Sequence, residues 1–301
     1  MLYNYALEPK IIKSFDDFRY IVDQCGFDQG RLIIEYPENW YKSVYKLCEK
    51  IRDPVKKKRT KLKLQRVKEA LVCIPIVNNY NSQVLWINNA VSEINSNSNI
   101  HCVLSKSNPS NHEKVVSASE LDTGHSLWRV SREFMVNRTA KEMANCVKQL
   151  INCSYRIELI DPYFRPRPEH FRPLIALMGQ AKNRVGTTFI YHTSEKIKCE
   201  VDYLESECKE KLRNSIPNNI KVIVKYWQEK ENNKPLHDRF IVTEKGGYSF
   251  GHGLDEGPKG ETVNITLLGK DRLKEIHNDF RLLSGKHESD SYILLDEFEV
   301  S

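Results

Sequence analysis

The chain has 301 residues, of which 40% are hydrophobic and 29% charged, with a formal charge of +6. This is the composition of a soluble globular protein, long enough for one large domain or two ordinary ones with sizeable cores. It excludes a membrane-spanning chain, because no apolar run approaches the ~20 residues a bilayer requires; the opening MLYNYALEPKIIKSF also lacks the regions of a secretory signal, so the expected location is cytoplasmic.

Residues 1–135 read as an N-terminal α/β region of unknown fold. Ser14 predicts an N-cap, with Asp16 and Asp17 in the first turn and Phe15, Phe18, Ile21 and Val22 at helical spacing. GRLIIEYP predicts a short strand closed by a proline, and ENWYKSVYKLCEKI a helix with Trp40, Val44, Leu47 and Ile51 on one face. The next stretch, KIRDPVKKKRTKLKLQRVKEAL, carries ten Lys or Arg between Lys50 and Lys68 against one acid, Asp53. Leu62, Leu64, Val67 and Leu71 supply a partial apolar stripe, which predicts a surface helix with one basic side. Such a block favours polyanions. Nucleic acid comes first, through Lys56, Lys57, Lys58, Arg59, Lys61, Lys63 and Arg66, and an anionic membrane surface second. A solvated helix face without a partner accounts for the same charges. The block holds no aromatic residue, so base stacking is not suggested there. ALVCIPIV and NIHCVLS are strand-like, and between them NNAVSEINSNS ends a helix and starts a loop.

Residues 136–301 show a sharper pattern. NRTAKEMANCVKQLINC predicts an amphipathic helix, and YRIELIDPYF a buried strand broken at Asp161-Pro162. HFRPLIALMGQAK, GTTFIYHTS, EVDYLESECKEKLRNSI and NIKVIVKYW come next as helix, strand, helix and strand. LHDRFIVTEKGGYSFGHGLD predicts a hairpin around a Gly-Gly turn, ETVNITLLG a further strand, and KDRLKEIHNDFRLLSG a helix stopped by Gly285. Alternating strands and helices imply a mainly parallel α/β sheet with antiparallel strands at one side. Ligands of such sheets sit at the carboxyl ends of the strands, where Asp161, His192 and His237 are expected.

Eight cysteines are scattered with no CxxC pair, and no Cys/His cluster has zinc-like spacing. Reduced thiols, no metal and no cofactor are expected. His101, His112 and His125 are isolated and read as structural or exposed.

The hairpin region resembles the phospholipase D superfamily. Its signature is a histidine, any residue, a lysine, four residues, an aspartate, six residues, then Gly-Ser-x-Asn. Here His237 is followed by Arg239 at the lysine position, Glu244 at the aspartate position, and Gly251, which begins GHGL. His252 stands at the serine position and Leu254 at the asparagine position. A closer resemblance is to the degenerate phospholipase D-like domain at the C-terminus of MIT-domain proteins, with bacterial members as well. Its DPY, HDR and G-basic-GLD motifs match Asp161–Tyr163, His237–Arg239 and Gly251–Asp255. The resemblance covers residues 137–285. It implies a phospholipase D-like mixed sheet flanked by helices and, from the eukaryotic relatives, a lipid- or partner-binding module. The bacterial members imply a place in a multi-protein system acting on foreign nucleic acid.

The residues allow three readings. In the first, the domain binds nucleic-acid phosphates, with Arg239 as a bidentate ligand and Arg165 and Arg167 as an anion-binding rim. In the second, the chain is a metal-independent phosphodiesterase, a nuclease. Phospholipase D chemistry uses one histidine as nucleophile and another as general acid, so His237 needs a second from a homodimer, from His252 or from His192, with Glu244 orienting the imidazole. In the third, the module binds phosphoinositide headgroups or a protein and does no chemistry. A structural reading of the same motif pairs Arg239 with Asp161 or Asp255, ends a loop at Asp238, and lets Asp255 cap the segment after it.

Overall fold

Local sequence signals start several of the helices. The structure, a computed structural model, describes residues 1–300 apart from 231–234 and 281–290, and no side chain at 69, 70, 122 or 123. It divides into two compact units, Leu2–Ser131 and Arg132–Ser301, with Met1 grouping with the second.

In the first unit the order is β1 (Tyr3–Leu7), α1 (Phe15–Asp23), β2 (Arg31–Ile34), α2 (Trp40–Glu49), α3 (Pro54–Ala70), β3 (Leu71–Val72), α4 (Trp86–Ser96), β4 (Cys102–Ser105) and β5 (Val115–Ser117). The Ser14 hydroxyl caps α1 by accepting from the Asp17 N–H. The Asp53 carboxylate caps α3 by accepting from Val55 and Lys56, with Pro54 preset for the first turn. All strand pairs are parallel, in the order β3-β2-β1-β4-β5. Both faces of a parallel sheet are covered, so Tyr5, Leu7, Ile33 and Leu104 are fully buried with Phe18, Trp40, Val44 and Leu64 from the helices.

The second unit contains β6 (Glu133–Asn137), α5 (Ala140–Asn152), β7 (Arg156–Ile160), α6 (Pro168–Ala181), β8 (Thr187–Ser194), α7 (Val201–Leu212), β9 (Ile220–Glu229), β10 (Arg239–Val242), β11 (Gly247–Phe250), β12 (Thr262–Leu267), α8 (Lys270–Asp279) and β13 (Tyr292–Glu299). Its eight-stranded sheet runs β13-β9-β8-β7-β10-β11-β12-β6. β7, β8 and β9 are parallel to one another, and the remaining pairs are antiparallel. The chain is therefore α/β, with a mixed sheet in its C-terminal part. The register Phe240↔Ile160 sets Arg239 across from Asp161, so the start of β10 meets the carboxyl end of β7. No helix is long and apolar enough to cross a membrane among the described residues.

Some expectations change. The buried stripe of α3 is Thr60, Leu64 and Val67, whereas Leu62 is exposed. ALVCIPIV contributes only the two residues of β3, and the Gly285 stop lies outside the described residues. The sequence pattern singled out no strand at β1, β5, β6 or β13. β1 is central, yet at five residues, YNYAL, it is too short to show a period.

Candidate phosphate site in the second unit

The site begins with strand register. Phe240 pairs with Ser249, and Ser249 with Thr266, so three side chains share one face of β10, β11 and β12. Asn264 lies two residues from Thr266 and joins that face. Leu268, Ile276 and Phe280 pack α8 against Phe240 and Val242, and this packing brings Arg272, in the first turn of α8, to the same place. A hollow of about 400 Å³ results, lined by His237, Arg239, Ser249, Asn264, Thr266 and Arg272 among others.

His237 and Arg239, which flank position 238, both line this space, although Arg239, one residue before Phe240, sends its side chain from the other face of β10 toward Tyr163 and Asp161. The His237 side chain is 62% exposed, and its ring meets the Tyr163 ring edge-on with centroids 6.0 Å apart. Arg239 lies over that same tyrosine, at 4.6 Å. Its Nε is 3.9 Å from Asp161 Oδ1 and has no hydrogen-bond partner. Arg272 sits 5.3 Å over Phe240 and donates to Asp238 Oδ2 and Glu275 Oε2, each at 2.8 Å. Two arginines and a histidine line the hollow, with Asp238 as the one acid in the lining.

Behind Arg239 lies a buried layer. Asp161, 1% exposed, accepts from the backbone N–H of Tyr163 at 3.0 Å and of Leu254 at 2.9 Å. One carboxylate thereby ties the DPY turn to the GHGLD loop. Burial pushes the Asp161 carboxyl above the usual carboxylate range, against the pull of those two donors. Asp255 is held by Arg138, which also donates from Nη1 to Glu261 at 3.1 Å. A Cβ at Gly253 would collide with Asp255 Oδ1, so glycine there leaves room for that side chain to fold back. His170, in the first turn of α6, is buried nearby, and burial lowers its pKa despite the raising pull of Asp255 and Asp161. One ring nitrogen of His170 and one carboxylate oxygen each from Asp161 and Asp255 lie within 4.8 Å of one another, a set able to hold a metal ion.

Several expected residues stand elsewhere. Glu244 occupies the turn after β10, with the whole of that strand between it and His237, so it does not orient that imidazole; its charge acts on His277. His252 is exposed and outside the lining, although its neighbour Gly251 belongs to it. His192 is 1% exposed and fully engaged: Trp227 Nε1 donates to its Nδ1 at 3.0 Å, and its Nε2 lies 2.7 Å from Glu158. Arg165 and Arg167 are exposed on the loop after β7 and do not line the hollow. The acid beside Arg239 is Asp161, whereas Asp255 belongs to Arg138. Asp238 is exposed and answers Arg272.

Sequence reasoning missed Arg272, Arg138 and His170. A helix directly after β12 was legible, and the packing of its Leu273 and Ile276 side fixes where Arg272 points. Nothing local marked Arg138 or His170.

Within the first unit, α3 separates its charges. Lys57 and Lys61 pair with Glu49, and Lys63 and Arg66 with Asp23. Lys56, Lys58 and Arg59 are exposed and form no salt bridge among the described residues.

No protein-family model matches the chain, and no curated protein does. Among solved structures it is similar to that of TrmBL2, an archaeal chromatin protein described as showing a novel mode of DNA binding. The match has 9% identity and a TM-score of 0.27, covering 55% of this chain and about half, 55%, of that one.

Proposed function

We propose that the chain is a nucleic-acid-associated, phospholipase D-like protein whose second unit holds phosphate groups in the hollow at His237. The observation that carries this reading is the convergence of His237, Arg239 and Arg272 on one open hollow. Arg239 and Arg272 present planar donor forks suited to phosphate oxygens, while Ser249, Asn264 and Thr266 add neutral polar groups. The Asp161 bond to Leu254 N–H, which joins two of the three motif segments, supports the phospholipase D-like reading. Lys56, Lys58 and Arg59 supply a second, sequence-independent attraction to polyanions. Binding is favoured over cleavage because His237 is the one histidine lining the hollow among the described residues, and the hydrolytic reaction uses two.

Anisotropy of labelled single-stranded DNA and RNA, titrated across salt concentrations, tests this. Replacing Arg239 and Arg272 together with Gln weakens binding and lowers the slope of log K against log salt by about 1.5, as expected for two lost phosphate contacts. Unchanged affinity and slope would sink the proposal.

The exposure of His237 favours one alternative, a dimeric phosphodiesterase in which a second copy brings the other histidine to the open side. That reading expects a dimer by light scattering, and cleavage that His237→Ala abolishes while binding persists.

A further inference from the structure

The layer behind Arg239, in which Asp161 and His170 are buried and Asp255 half-buried, shares no residue with the lining of the hollow, and it has a chemistry of its own. Its three groups come from separate segments: Asp161 from the carboxyl end of β7, His170 from the start of α6, and Asp255 from the loop after β11. Their nearest nitrogen and oxygen atoms lie within 4.8 Å of one another. Ligand atoms of a tetrahedral zinc ion, with bonds of about 2.1 Å, stand roughly 3.4 Å apart, so side-chain shifts that shorten these separations by up to about 1.4 Å bring all three into coordination range.

Two further observations point to a ligand. His170 is 7% exposed, and its Nδ1 is buried without a hydrogen-bond partner. Tyr191 is 2% exposed, and its hydroxyl likewise has no partner; the charges of both Asp161 and Asp255 act on it. Nearly all buried polar atoms in native proteins are partnered, so two orphans beside the same pair of carboxylates are informative. The local charge also favours a cation. Arg138 is shared between Asp255 and Glu261, and Arg239 stands 3.9 Å from Asp161, turned over the Tyr163 ring. Three carboxylates therefore face two guanidinium groups. Finally, the carboxylates are anchored from outside, Asp161 by the Tyr163 and Leu254 N–H groups and Asp255 by Arg138. Metal-ligating carboxylates need such support to hold their orientation.

We propose that Asp161, His170 and Asp255 together bind one divalent transition-metal ion. One imidazole and two carboxylates suit zinc or manganese better than magnesium or calcium, which prefer all-oxygen sites. The ion clips the DPY turn, the start of α6 and the GHGLD loop together, and so fixes the wall against which Arg239 is held. Its role is structural, and it stands or falls independently of phosphate binding in the hollow.

The test uses the full-length chain, stripped with chelator and titrated with ZnCl2, with metal content read by mass spectrometry and stability by thermal melting. The expected result is one equivalent of zinc and a rise in Tm of about 5 °C or more, both lost in His170→Ala and in Asp255→Asn. Cobalt in place of zinc should give a visible d–d absorption band in the wild type, a readout that stays decisive should either variant fail to fold. Wild-type protein that takes up no zinc and shows no cobalt band overturns the proposal. A zinc effect that persists unchanged in both variants also overturns it, and assigns the ion to a surface group such as the exposed Cys73.

Discussion

His192 shows how a single residue changes meaning once its neighbours are known. Its place at the end of a strand makes it a candidate second histidine for phosphodiester chemistry. In the fold its Nδ1 accepts from Trp227, so the proton sits on Nε2 and is donated to Glu158. Burial pushes the Glu158 carboxyl up, yet the hydrogen bond from His192, together with Arg156, holds it below the usual carboxylate range. His192→Ala removes one of the two donors to that buried carboxylate and should cost about 2–3 kcal/mol in urea unfolding; a loss under ~1 kcal/mol would show that water replaces the imidazole. His101 carries a pH prediction. Burial lowers its pKa, opposed by its bond to the Leu127 carbonyl and aided by the charge of Lys114. The unfolded chain, with an ordinary histidine near 6.5, then binds the proton first. Its contribution to instability is absent well above pH 6.5 and grows as pH falls toward the lowered folded value. His101→Phe should therefore flatten the fall of the urea midpoint between pH 7.5 and 5.5. An unchanged slope would contradict the assignment.

At the scale of elements, α3 illustrates what periodicity can and cannot say. The basic run and its helical nature were legible from the spacing of Leu64 and Val67, which are buried, and charge alone marks a solvated face. Which lysines remain available was not. Glu49 and Asp23 lie on α2 and α1, and they take Lys57, Lys61, Lys63 and Arg66 only through tertiary packing. Neutralising Lys56, Lys58 and Arg59 should flatten the salt dependence of nucleic-acid binding and leave stability within about 0.5 kcal/mol of the wild type. Asp53→Ala, by contrast, removes a cap that holds two N–H groups and should lower the urea unfolding midpoint without a matching loss of salt slope. The hairpin of β10 and β11 was equally legible, since an apolar run, Gly246-Gly247 and a second run leave few alternatives.

At the scale of the whole molecule, the phosphate-site reading rests on pieces brought from far apart. The carboxyl end of β7, the start of β10, one face of β11 and β12, and the first turn of α8 meet around the hollow and its buried wall. The α/β class and most element positions follow from local chemistry, because capping, turn residues and hydrophobic period act over a few residues. The motif residues Asp161 and Arg239 and the Gly251 loop also gather at one rim of the sheet, as strand ends in an α/β fold should. Edge strands and short buried strands were not readable, since β6, β13 and β1 are defined by the neighbours they pair with. Nor were the partnerships of charge. That Arg239 answers Asp161, that Arg138 holds Asp255, that Arg272 completes the hollow and that Glu244 stands away from it depend on strand register and helix packing. Those relations join residues tens to more than a hundred positions apart, and no signal confined to a short stretch of chain can encode them.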